Sequence, residues 1–250
     1  MPRLDQSADV ETHALGNNFS FTGARIEGLG ATEYTLVDIE VDMSGSVSPF
    51  LADLIAMIKE SVGACAKSPR SDNLLVRVAT FSTAYPGGIN EVHGFIPLAS
   101  IDHGAYDQLH AGGGTPLFDA CYVGVGATFS YARMLFDQEF NANGISFTIT
   151  DGEDTGGAAS PAMIRAEIER AKKEEFLESH VSVLIGINAA HCAAALDRFR
   201  REAGITQFID AGDVSKGKLA KLAAFVSQSV SSTSQALGTG GPSQAIAATI

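Results

Sequence analysis

Runs of aliphatic and β-branched residues alternate along the chain with segments in which apolar positions recur every three or four residues. Residues 34–41, 74–81, 145–150, 181–187 and 207–209 read as strands, and 74–81 is so continuously apolar that both its faces must be covered. Residues 92–98 form a weaker strand, interrupted by Gly94 and Pro97 and expected at an edge. Helical spacing marks 49–66, where Phe50, Leu51, Leu54, Ile55, Ile58, Val62 and Cys65 share a face and Pro49 suits a first turn. It marks 117–136, 161–177 (with Ser160 as cap), 191–203 and 218–231 as well. Gly124 and Gly126 would let the second of these helices pack closely on a sheet. A short helix is expected within 101–110, and an extra strand or hairpin within 19–29, turning at Gly28 and Gly30.

This alternation predicts an α/β fold: a doubly wound, mostly parallel, Rossmann-like sheet flanked by helices, with one antiparallel edge strand. Residues 34–237 would form the domain, 1–33 a polar lead-in holding the extra strand, and 238–250 a loose tail of Gly, Ser and Pro composition.

In such sheets the loops at the carboxyl ends of the strands meet in one crevice. Three of these loops carry hard oxygens: Asp42, Ser44 and Ser46 after the first strand, Thr115 after the run Gly112-Gly113-Gly114, and Asp151 after the strand 145–150. Oxygens at this density suit a small divalent cation, Mg²⁺ above all. Each also has an ordinary reading. Ser44 or Ser46 would serve as helix caps, Thr115 would cap the helix that Pro116 begins, and Asp151-Gly152 would make a turn.

Composition narrows the field. Seventeen basic against twenty-nine acidic residues give a formal charge of −12, which argues against a nucleic-acid footprint or an anionic membrane surface as partner. No apolar run approaches a membrane span, and the first residues lack the apolar core of a signal peptide. Cys65, Cys121 and Cys192 lie far apart in apolar settings and read as buried reduced thiols, so the expected compartment is the cytosol. Glu153 and Asp154 read as solvated loop acids, and His93, His103 and His110 as surface residues. Catalytic signatures are missing: no phosphate loop follows the glycine run, and an aspartyl-phosphate phosphatase would need an acid where Ser44 stands.

The segments D-M-S-G-S (42–46), G-G-G-T-P-L (112–117) and I-T-D-G-E-D (149–154), in that order and spacing, resemble a von Willebrand factor A domain with a complete metal-ion-dependent adhesion site. The resemblance runs from about residue 34 to 237. The serine-rich ending around 224–234 is similar to that of stand-alone bacterial A-domain proteins, including those grouped with tellurium resistance; it does not separate a bacterial from a phage source. The resemblance implies that Ser44 and Ser46 bind the metal directly. Thr115 would bind directly or through water according to conformational state, and Asp42 and Asp151 largely through water. A partner's Asp or Glu carboxylate then completes the octahedron around Mg²⁺, with Mn²⁺ or Ca²⁺ as alternatives. The function implied is metal-dependent protein binding without catalysis. The alternative is an assembly protein using the fold for homo- or hetero-oligomerisation. One departure from the family stands in the first strand, where Asp38 and Glu40 share the face of Asp42. Buried charge is costly unless paired, so we expect a Glu40–Arg77 ion pair, with Asp38 nearer solvent.

Overall fold

The computed structural model describes residues 10–15, 18–213 and 215–239. Its strands are β1 (Val10–Ala14), β2 (Ser20–Ala24), β3 (Glu33–Asp42), β4 (Leu74–Phe81), β5 (Ile89–Pro97), β6 (Asn141–Thr150), β7 (His180–Gly186) and β8 (Gln207–Asp210). Its helices are α1 (Leu51–Cys65), α2 (Leu117–Asp137), α3 (Pro161–Glu174), α4 (Ala193–Ala203) and α5 (Lys216–Thr239). The strands form one sheet in the order β1-β2-β5-β4-β3-β6-β7-β8. The run β4-β3-β6-β7-β8 is parallel throughout.

β5 is the antiparallel strand at the border of that parallel core. The sheet continues past it, because β2 joins β5 at Gly23 and Phe95 and β1 pairs antiparallel with β2. The hairpin therefore begins earlier than expected, with Val10–Ala14 supplying its first strand. The expected helix within 101–110 is a 3-10 turn, His103–Gln108. Ser160 caps α3 as expected, accepting the Met163 amide. Helix α5 extends to Thr239, so Gly238 and Thr239 of the expected loose tail are helical and its remainder, 240–250, lies outside the described residues, as do residues 1–9 of the lead-in.

Helices cover both faces. Val37, Ile39 and Val41 of β3 join Leu54, Ile58 and Val62 of α1 and Leu222, Val226 and Val230 of α5 in one core. On the other face Tyr34 and Leu36 join Val125, Phe129 and Ala132 of α2 and Leu196 and Phe199 of α4. Alternation along β3 thus sends odd positions to one layer and even positions to the other. The even positions 38, 40 and 42 are acidic and face the α2 layer.

β3 lies between β4, which follows it in the chain, and β6, which comes much later. From β3 the chain runs outward to β4 and β5 and then crosses back through α2 to β6 on the other side of β3, and the crevice at this switch point is where the candidate ligands gather.

Candidate metal centre

β3 ends on Asp42, which is fully buried. Its Oδ1 accepts the Ser44 amide at 2.8 Å, and its Oδ2 accepts the Thr150 hydroxyl of β6 at 2.7 Å. Beyond it the chain folds back. Ser44 Oγ lies 3.0 Å from Ser46 Oγ, and the Ser46 hydroxyl donates to Asp151 Oδ1 at 2.8 Å. The glycine run is laced to the same loop by backbone bonds, Gly45 N to Gly113 O and Gly112 N to Met43 O, both 2.9 Å. Asp42, Ser44, Ser46 and Asp151 are linked through side chains, and the Thr115 loop is bonded alongside them.

The cap readings of Ser44 and Thr115 do not hold. Ser44 precedes the 3-10 turn Gly45–Phe50 but makes no side-chain cap bond. Thr115 caps nothing: the N-cap of α2 is Pro116, and the Phe118 amide is taken by Asp154 Oδ1 at 3.0 Å. Asp154 is therefore a structural acceptor and not the solvated loop acid expected from sequence. Asp151 accepts from Ser46 across 105 residues of chain, which a local turn would not require.

Burial pushes the Asp42 carboxyl up to about 6; the Ser44 and Thr150 bonds oppose this, and the neighbouring Asp151 adds to it. Asp151 is also raised, again chiefly by burial, with the Ser46 bond opposing. A cation close to two desolvated carboxyls would favour the ionised form of both. The donor set fits a hard one: two carboxylates and three hydroxyls, all oxygen, with no thiol or imidazole. Among the described residues no group of three or more His, Cys, Asp and Glu side chains gathers in the manner of a metal site.

No protein-family model matches the chain. No curated protein sequence matches it either. Solved structures do. The vWF domain of the type V pili tip protein Mfa5 from Porphyromonas gingivalis matches with a TM-score of 0.53 at 13% identity, over 83% of this chain and 97% of that one. The fold is that of a von Willebrand factor A domain. The PilB minor pilin of Streptococcus sanguinis, solved as its D319A mutant, matches with a TM-score of 0.56 at 13% identity, over 92% of this chain and 68% of that one. Proximal thread matrix protein 1 from the mussel byssus matches with a TM-score of 0.52 at 19% identity, over 80% of this chain. The chain spans 46% of that mussel structure's length. A further structure of the mussel protein has a zinc-occupied MIDAS motif (TM-score 0.51, 19% identity, 80% of this chain and 46% of that one).

Directly below the A-domain crevice lies a second charged group. Arg77 of β4 donates through Nη1 to Asp38 Oδ1 and Glu40 Oε1, both at 2.6 Å, and through Nε to Glu91 Oε2 at 2.7 Å. The Glu40–Arg77 pair is as expected, but Asp38 is not nearer solvent. Both acids are sealed beneath α2, where a Cβ on Gly124 would lie 2.3 Å from Asp38 Oδ2. Gly126 instead faces Leu15, at ordinary contact distance. Burial raises Asp38, and pushes Glu40 up to about 8 despite Arg77.

Glu91 was not foreseen. It enters because β5 runs antiparallel to β4 and pairs Glu91 with Ala79, a register no local pattern reveals. Its other oxygen accepts the Thr22 amide and hydroxyl at 2.8 and 2.6 Å, joining the β1–β2 hairpin to the charged group. His93 is also not a surface residue: it is half-buried, 2.7 Å from the Tyr106 hydroxyl, and burial pushes it down to about 4.

Proposed function

We propose that this A domain is a divalent-metal-dependent protein-binding module in which Asp42, Ser44, Ser46, Thr115 and Asp151 make a complete metal-ion-dependent adhesion site. One observation carries the reading: the hydrogen-bonded line Ser44–Ser46–Asp151 across the ends of β3 and β6, with Asp42 anchored beneath it by Thr150. Mg²⁺ is the ion we assign, with Mn²⁺ or Ca²⁺ able to replace it. Two carboxylates only balance a doubly charged ion, and hydroxyls donate weakly. The metal therefore keeps its affinity for a further anionic oxygen, and a partner's Asp or Glu carboxylate is the ligand it would take. The mussel protein with zinc in its MIDAS motif supports a metal role for this fold.

Binding without catalysis suits the same residues, since Ser44 occupies the place where a phosphoaspartate enzyme needs its second acid. The free, buried thiols Cys65, Cys121 and Cys192 suit a reducing compartment. Among the described residues no helix is long and apolar enough to cross a membrane. We place the protein with the stand-alone bacterial A-domain proteins on its serine-rich last helix. Affinity capture with the wild-type chain in Mg²⁺, in EDTA, and with Asp42→Ala tests the reading. Partners should appear only in the first arm; the same partners recovered in EDTA would overturn it.

A further inference from the structure

We propose that Thr155 and Asp119 are positioning residues that fasten the Thr115 and Asp151 loops into one rigid block, and so set the affinity of the metal centre. The proposal rests on the metal-binding reading above. Thr115 and Thr155 are joined by two bonds of opposite sense: Thr155 N donates to Thr115 O at 2.9 Å, and Thr115 N donates to Thr155 Oγ1 at 2.7 Å. Asp154 Oδ1 accepts the Phe118 amide at 3.0 Å, satisfying a donor that the first turn of α2 leaves free. Asp119 reaches the other way. Its Oδ1 accepts the amides of Ala158 and Ala159 at 2.9 and 2.7 Å, and its side chain is buried. Residues 154–159 are thus bonded to residues 115–119 at five points.

The sequence makes room for this contact. A Cβ on Gly114 would lie 2.6 Å from Thr155 Oγ1, and one on Gly157 would lie 2.4 Å from Asp119 Oδ2. Gly113 has φ +72°, and a Cβ there would meet Ala84 N at 2.6 Å. On the opposite side Thr83 Oγ1 accepts the Gly114 amide at 2.6 Å, while Thr83 N donates to Gly114 O at 3.0 Å. The glycine run is therefore held between Thr83 and Thr155.

Asp119 is the acid nearest in sequence to Thr115, yet its Oδ1 is committed to backbone amides. It acts on the ligands and not as one. A hard cation tolerates little error in the placing of its oxygens, so fixing Thr115 against the loop that carries Asp151 acts directly on affinity. With the two loops fastened together, the Thr115 backbone is held in register with the loop that carries Asp151.

Calorimetric titration of the full chain with Mn²⁺ tests this, alongside thermal unfolding in EDTA and hydrogen exchange at the Thr115 amide. Thr155 is exposed, so Thr155→Val should leave the metal-free chain folded with a single cooperative transition while speeding Thr115 exchange and weakening Mn²⁺ by about ten- to a hundredfold. Thr155→Ser, which keeps the acceptor, should restore both. Asp119→Ala should weaken Mn²⁺ likewise; if it also lowers the metal-free melting temperature, the Thr155 pair decides. Fast exchange in Thr155→Val with wild-type Mn²⁺ affinity would overturn the proposal and leave the metal reading standing. A wild-type chain that takes up no Mn²⁺ would overturn both.

Discussion

Arg77 and Glu40 meet at 2.6 Å in the sealed space between the sheet and α2, with neither side chain exposed. Removing the guanidinium would strand three carboxyls, those of Asp38, Glu40 and Glu91, without a cation. We expect Arg77→Met to cost about 3–5 kcal/mol. Glu40→Gln keeps an acceptor for Arg77 and a neutral side chain of nearly the same shape as the protonated carboxyl, so its cost should be far smaller. Urea denaturation of both variants checks this, and equal losses would refute the asymmetry.

The same site gives stability a pH dependence. The Glu40 carboxyl is pushed up to about 8 in the folded chain by burial, from a usual 4.5. The folded state therefore holds a proton that the unfolded state has released. Its contribution is fully present below about pH 4.5 and is lost as pH rises through about 8. Denaturation midpoints should fall across that window in the wild type and fall less in Glu40→Gln. Parallel slopes for the two proteins would count against a proton on Glu40.

Gly124 matters for closeness. A Cβ at this position would lie 2.3 Å from Asp38 Oδ2 and 3.2 Å from Glu40 Cγ. Although alanine favours helix, Gly124→Ala should destabilise the domain by about 1–3 kcal/mol through overpacking. Adding Asp38→Asn should not relieve it, because the oxygen-sized obstacle remains. Adding Asp38→Ala should recover part of the loss in a double-mutant cycle.

How much of the fold and the site is legible in the sequence follows from how local each signal is. Asp42 and Asp151 follow β3 and β6, whose ends are marked by hydrophobic runs that stop, whereas Thr115 lies just before α2 and is marked by the glycine run that precedes it. The Glu40–Arg77 pair is legible for a related reason, being set by adjacent parallel strands. Glu91 and Thr155 are not legible. Glu91 depends on the register of an antiparallel strand containing Gly94 and Pro97, and Thr155 on an exposed loop whose order comes from distant backbone partners. The β1 strand escapes a reading of the sequence because its burial alternates only weakly across five residues and its pairing is with β2 alone.

On the proposed metal reading, Asp42 makes binding depend on pH. Burial pushes its carboxyl up to about 6, so in the metal-free chain it takes up a proton as pH falls through that value. A divalent cation needs Asp42 ionised, so binding and protonation compete. Mg²⁺ or Mn²⁺ affinity should be nearly constant above about pH 7 and weaken progressively below about pH 6, with protons released on binding in the lower range. Bound metal should also raise the melting temperature. At a free concentration about 100 times the dissociation constant the stabilisation is about 2.7 kcal/mol, and EDTA should abolish it. Asp42→Asn cannot ionise and should show neither the metal-induced rise nor its pH dependence. Calorimetry in two buffers of different ionisation enthalpy reads the proton release directly. A binding enthalpy independent of buffer at low pH would mean that Asp42 is already ionised in the metal-free chain.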